Sequence, residues 1–181
     1  MNISRSLIAL VATVGLASNI AAADAAALDP HLEPLRPLLE KTWKQVPEAK
    51  PGSTNQPAID VARWERALNG KAIRILHSIN DGLYGGESIV MWDAARQAVT
   101  YHYFTTATFT TQGTMTFKDG KIITHEVVSG NAGGITEVRG EFEIRSDGTY
   151  HVKAEHLKDG KWSPGREATY REDAIAKVVF K

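Results

Sequence analysis

The sequence predicts an all-β protein, an up-and-down antiparallel barrel of about nine strands with a short helix on its N-terminal side. Three observations predict it. From Ala58 onward, turn signals arrive about every ten residues: Asn69-Gly70, Asp81-Gly82, Asp93 to Gln97, Thr105 to Ala107, Asp119-Gly120, Gly130 to Gly134, Asp147-Gly148 and Asp159-Gly160. The segments between them alternate apolar and polar residues with period two, as strands with one buried face do. Where a turn type fixes the register, the outward residues that meet across two strands carry opposite charges. A meander of this kind disposes of its exposed edges by closing on itself.

Composition narrows the function classes. The 181 residues include 21 Lys+Arg against 21 Asp+Glu and no cysteine. A disulfide scaffold, a thiol enzyme and a cysteine-ligated metal are therefore excluded. Zero formal net charge leaves no electrostatic footprint for nucleic acid, whose phosphates need clustered Lys and Arg. Residues 1–25 read as an export signal: Arg5 is a short basic start, Ser6 to Ala17 is uncharged, and Ala21 to Ala25 offers small cleavage-site residues. Cleavage after Ala23 and after Ala25 fit equally. Removing residues 1–25 takes away Arg5 and Asp24, one charge of each sign, so the exported chain stays neutral. With no Cys to carry a lipid, the expectation is a periplasmic or secreted monomer, not inserted in a membrane after cleavage. Residues 26–57 hold the helix and a loop, residues 58–181 the barrel, and 26–181 form one domain.

The elements follow in order. Leu32, Leu35, Leu38, Leu39 and Trp43 recur at helical spacing, with Pro34 and Pro37 disturbing the first turns, which predicts an amphipathic helix around Leu35 to Lys44. Pro47, Pro51, Gly52 and Pro57 mark a loop. Ile59 to Leu68 can be drawn as helix or strand, and the Asn69-Gly70 hairpin decides for strand. It pairs Arg66 with Ile73, Trp64 with Ile75 and Ala62 with His77 on one face, and Glu65 with Arg74 on the other. Tyr101-His102-Tyr103-Phe104 is aromatic on both faces, and the N-terminal helix is expected to cover its outside.

Around Ser146-Asp147-Gly148, a three-residue loop with Gly148 in the left-handed position pairs Arg139 with Glu155, Glu141 with Lys153 and Glu143 with His151 outside. Inside it pairs Val138 with His156, Gly140 with Ala154, Phe142 with Val152 and Ile144 with Tyr150. The same loop at Lys118-Asp119-Gly120 gathers Phe117, Met115 with Ile123, and Gly113 with His125 inside. At Lys158-Asp159-Gly160 it sets Trp162 opposite His156.

The predicted interior wall is thus mostly apolar, interrupted by one guanidinium and three imidazoles, a composition closer to a binding cavity than to a dry core. The candidate ligand-binding residues are Trp64, Arg66, Ile75, His77, Met115, His125, Phe142, Tyr150, His156 and Trp162. Arg66 needs a carboxylate partner, such as Glu87, or the acidic head of a ligand. No catalytic residue, metal ligand or cofactor is assigned. The sequence has no His-x-His, His-Glu-x-x-His or i, i+4 His pair, and Gly86-Glu87-Ser88-Ile89-Val90 lacks the final Gly of a nucleophile elbow. Gly130 to Gly134 joins two strands with no helix to complete a phosphate cradle.

Trp64-Glu65-Arg66-Ala67-Leu68-Asn69-Gly70-Lys71, His77-Ser78-Ile79-Asn80, Tyr84-Gly85-Gly86-Glu87 and Tyr103-Phe104-Thr105-Thr106 resemble a bacterial family of exported, lipocalin-like calycin domains of uncharacterised function. The resemblance implies a calycin β-barrel with a helix at its mouth or flank, and it brings no catalytic residues. Trp43 is similar to the Trp near the start of lipocalin barrels, with Lys41 where the Gly of Gly-x-Trp would stand. Haem-binding nitrobindin-like barrels are similar too, but Lys44-Gln45-Val46-Pro47 replaces their Gly-rich motif, which leaves haem a minor option. The function expected is binding of a small hydrophobic or amphipathic ligand, with or without an acidic group, inside the barrel. An acid–base isomerase or cyclase using an interior His is the alternative, and a filled structural barrel the third reading.

Overall fold

The computed structural model describes residues 27–48 and 57–181. The predicted export signal and residues 49–56, the middle of the predicted Pro-rich loop, lie outside the described residues. Ten strands form one closed antiparallel barrel: β1 Lys41–Gln45, β2 Asp60–Ala67, β3 Ala72–Ile79, β4 Tyr84–Asp93, β5 Ala98–Thr105, β6 Thr110–Lys118, β7 Lys121–Ser129, β8 Ile135–Ile144, β9 Tyr150–Lys158 and β10 Lys161–Glu172. Each strand from β2 to β10 pairs with its sequence neighbours, and β1 closes the circle between β10 and β2. Asp60–Ala67 is therefore extended, as predicted, with Leu68 already in the turn at φ 48°, and the barrel has one strand beyond the predicted nine because Trp43 lies on β1, not on a helix.

The helix itself differs from its prediction. Pro30–Leu38 is a 3₁₀ helix. Pro34 and Pro37 each lack the N–H that an α-helix would use, whereas the three-residue turn of a 3₁₀ helix stacks Leu32, Leu35 and Leu38 on one face. All three are 0% exposed. Burial of such side chains stabilises by roughly 1.5–3 kcal/mol each. Asp29 caps the start, its carboxylate accepting from His31 N–H at 3.1 Å, and the Trp43 indole N–H donates to the Leu38 carbonyl at 3.0 Å. The helix packs with Trp43, Ile73, Val90, Val99 and Ile122 into the core at one end of the barrel. It does not cover Tyr101 to Phe104: His102 and Phe104 face outward and are exposed, Phe104 by 52%, while Tyr101 and Tyr103 face inward.

The predicted registers hold at two hairpins and are one residue off at two others. The β2–β3 and β8–β9 ladders carry the predicted pairs, including Trp64 with Ile75 and Phe142 with Val152. At the β8–β9 turn the Asp147 carboxylate accepts from the Thr149 N–H and hydroxyl at 2.9 and 2.6 Å, and Gly148 takes φ 80°. The Asp119-Gly120 and Asp159-Gly160 turns lack this lock. Asp119 and Gly120 have φ 53° and 75°, Asp159 and Gly160 φ 51° and 73°, so both are two-residue turns with left-handed central residues. Lys118 consequently pairs with Lys121 and Lys158 with Lys161. A one-residue slip turns every side chain of a strand to the other face.

Candidate functional site

Above the helix-sealed core the barrel holds a hollow of about 640 Å³, lined by residues from β2 to β10. Seven of the ten predicted residues line it: Trp64, Ile75, His77, Met115, Phe142, Tyr150 and His156. Three do not. Arg66 has inward parity but sits near the end of β2 at the sealed end, and its guanidinium pairs with Glu40 at 3.2 Å. Glu87, its suggested partner, holds Arg74 instead at 2.8 Å. His125 is turned outward by the slipped β6–β7 register, 57% exposed and paired with Glu137 at 2.7 Å. Trp162 is turned outward by the β9–β10 register, where the Arg139 guanidinium lies 4.3 Å from its ring centroid.

The slip that removes His125 brings in Glu126, and other polar residues join it. On β2, Asp60 is 3% exposed and its carboxylate is surrounded. The Arg166 Nη1 lies 2.9 Å from Oδ2, the Tyr170 hydroxyl donates to the same oxygen at 2.7 Å, and the His77 Nδ1 lies 3.1 Å from Oδ1. Burial pushes the Asp60 carboxyl up, but the bond and charge of His77, the Arg166 guanidinium and the Tyr170 hydroxyl outweigh it and hold it below the ordinary value. Asp60 is thus an ionised acceptor, and its charge sets the direction of a run of hydrogen bonds along the wall. The His77 tautomer that carries its proton on Nδ1 donates to Asp60 and leaves Nε2 to accept. The Tyr103 hydroxyl donates to Nε2 at 2.6 Å, and the Tyr84 hydroxyl donates to the Tyr103 oxygen at 2.8 Å. Burial raises both tyrosines above their ordinary pKa, so they stay protonated.

Local sequence makes this reach possible. Tyr103 on β5 crosses β4 to meet His77 on β3, and the residue opposite His77 on β4 is Gly86. A Cβ there would run into the Tyr103 ring and the Phe104 carbonyl. Arg166 lies in the stretch of β10 where the register shifts between Pro164 and Glu167. That bulge changes the parity of the strand, so Arg166 joins Tyr170 on the inside while Trp162 stays outside. Its far nitrogen also donates to Gln45 Oε1 at 2.8 Å.

Glu126, on β7, has different company. The Thr111 hydroxyl donates to its carboxylate, the Tyr101 hydroxyl lies near it, and it forms no ion pair with a described residue. Burial raises its pKa above the ordinary value, against the lowering effect of those two hydroxyls and of the neighbouring His125. Among the described residues no group of three or more His, Asp or Glu is arranged to hold a metal ion.

No protein-family model and no curated protein matches the chain. Among solved structures it is similar to the crystal structure of Rv2717c from M. tuberculosis, with a TM-score of 0.58 and 14% identity, over 81% of this chain and 99% of that one. The likeness is one of fold.

Proposed function

We propose that this chain is an exported, lipocalin-like binding protein that takes a small, largely apolar molecule into its barrel. The observation that carries the reading is the hollow. Its volume of about 640 Å³ falls in the ordinary range of ligand pockets, and its apolar wall is punctuated by a few convergent polar groups. A filled structural barrel would leave no such space. Arg66 has no part in ligand contact, and Arg166 is committed to Asp60 and Gln45, so the lining has no free guanidinium for an acidic head. Periplasmic or secreted location, a monomeric state and the absence of a resident cofactor belong to the same reading.

The test is titration of the purified protein with the neutral fluorescent probe N-phenyl-1-naphthylamine, alongside native mass spectrometry after incubation with a lipid and metabolite panel. Saturable, displaceable fluorescence with retained mass is expected. No binding of the probe and no retained molecule would return the barrel to a structural role.

The ordered chain from Asp60 through His77 and Tyr103 to Tyr84 favours one second reading, an acid–base enzyme of isomerase or cyclase type. Its test is incubation of a captured ligand in heavy water. Deuterium entering a carbon position with wild-type protein, and not with His77→Gln, supports enzymatic proton exchange. No incorporation by the wild type leaves the relay a structural one.

A further inference from the structure

The charges lining the hollow do not balance, and the imbalance has a place. Two carboxylates, Asp60 and Glu126, and one guanidinium, Arg166, face it. The guanidinium is 2.9 Å from Asp60 and also bonds Gln45, so it is spent on one side of the barrel. Glu126 stands on β7, diametrically across the strand order from β2. Its neighbours at the same level are Gly113 on β6 and Val138 on β8, neither of which carries a charge. His156 follows on β9 opposite Val138 and forms no ion pair with it. The Thr111 hydroxyl donates to the carboxylate without bringing a counter-charge, and the adjacent His125 points to the outside of the barrel, where it is paired with Glu137.

A half-buried carboxylate that faces the hollow, accepts from a hydroxyl and has no ion-pair partner is a site for a cationic hydrogen-bond donor, and in a cavity walled mostly by apolar side chains that donor arrives on an apolar body. We propose that the ligand is an apolar amine, its ammonium paired with Glu126 and its hydrocarbon part lying against the wall of Ile75, Met115, Phe142 and Val152. The proposal rests on the hollow being a binding site. It adds the sign of the ligand's charge and the residue that reads it. The same geometry disfavours fatty-acid-like ligands, because a second anion beside Glu126 would meet a like charge with no guanidinium free to offset it.

Three displacers with one hydrocarbon chain and different heads, decylamine, decanol and decanoate, separate the possibilities. Each is titrated below micelle formation against N-phenyl-1-naphthylamine bound to the wild type and to Glu126→Gln. In the wild type, decylamine is expected to bind tightest and decanoate weakest. In Glu126→Gln, decylamine affinity should fall by about tenfold or more, to the level of decanol, while decanol and the probe change by less than about twofold. Unchanged probe binding also shows that the variant is folded. Decanoate binding as tightly as decylamine, or an amine preference surviving in Glu126→Gln, would overturn the proposal and leave the binding reading standing. If neither the probe nor any of the three enters the wild-type barrel, the binding reading fails, and this proposal with it.

Discussion

Asp60 and Glu126 face one hollow from strands half a circuit apart, and burial acts on both. Around Asp60 the chain supplies a guanidinium, an imidazole and a phenol, and the carboxyl is held below its ordinary pKa. Around Glu126 it supplies two hydroxyls and only an outward-turned His125 already paired with Glu137, and the carboxyl rises. The difference separates structure from function. Where the chain brings the counter-charge itself, a buried carboxylate is part of the framework. Where it brings only donors, the missing charge is left to a visitor, and the cost of the unpaired group is carried by the empty protein.

The largest effect should come from breaking the balanced side. Asp60→Asn keeps the shape but leaves Arg166 without its anion. Arg166 is about a third open to the cavity, so the lower end of the range for an orphaned buried charge applies, about 3 kcal/mol of stability. Urea unfolding measures it. Adding Arg166→Met to Asp60→Asn should restore a good part of the loss, because the partner left unpaired is removed as well. A double variant that is merely the sum of two losses would show that the two residues do not act as a pair.

Acid should act on the same side. A carboxyl whose folded pKa is lowered contributes stability that is present above its ordinary value near 4 and is lost as pH falls toward the folded value. Other carboxylates share this acid limb, Asp147 and Glu155 among them. The contribution of Asp60 is therefore the difference between wild type and Asp60→Asn. That difference should be constant from neutral pH down to about pH 5 and shrink below pH 4. A difference that does not change with pH would mean that Asp60 carries no charge in the fold.

A smaller loss is expected within the relay. Tyr103→Phe removes the hydroxyl between His77 and Tyr84 and should cost about 1 kcal/mol, the ordinary net worth of a hydrogen bond, plus whatever the unpartnered His77 Nε2 adds. Gly86→Ala acts on the same bond from behind by displacing the Tyr103 ring. If the two variants disturb one contact, both should shift the His77 imidazole resonances in NMR spectra and leave those of His156 in place. Movement of His156 as well would show a general distortion of the barrel.

The sequence discloses the barrel more fully than its lining, and particular residues show why. Opposite charges at Arg139–Glu155 and at Glu65–Arg74 make two registers legible, because the outward pairs test the inward ones. At Asp119-Gly120 and Asp159-Gly160 the same dipeptide sits in a different turn, and the deciding contact at Asp147 is a hydroxyl two residues on, Thr149, with Lys121 and Lys161 at the matching positions. Hence pattern alone puts His125 and Trp162 inside and passes over Glu126. Asp60 is legible in parity, which it shares with Ala62 and Trp64, but a charged residue at a strand's start does not announce that it faces inward. Arg166 is not legible at all: a bulge reverses its parity, and nothing in Pro164 to Glu167 states where the extra residue goes. The period-three leucines are visible too, and the prolines among them fit a 3₁₀ helix better than the α-helix expected.

The smallest effect should come from the unbalanced side, and it should have the opposite sign. A carboxyl with a raised folded pKa favours the protonated form. As pH rises above its ordinary value the unfolded chain gives up its proton more readily than the folded one, and stability falls. Glu126→Gln keeps the hydrogen-bonding shape and abolishes that slope. The variant should therefore be more stable than the wild type at neutral pH, by up to about 1 kcal/mol, and equal to it near pH 4, as read from urea unfolding at both values. A variant less stable than the wild type at every pH would mean that Glu126 is ionised and matched within the fold, as Asp60 is, and the contrast between the two carboxylates would be lost. A gain in stability together with a loss of amine preference is the combination that a merely structural residue does not give: the group that weakens the empty barrel is then the group that reads its ligand.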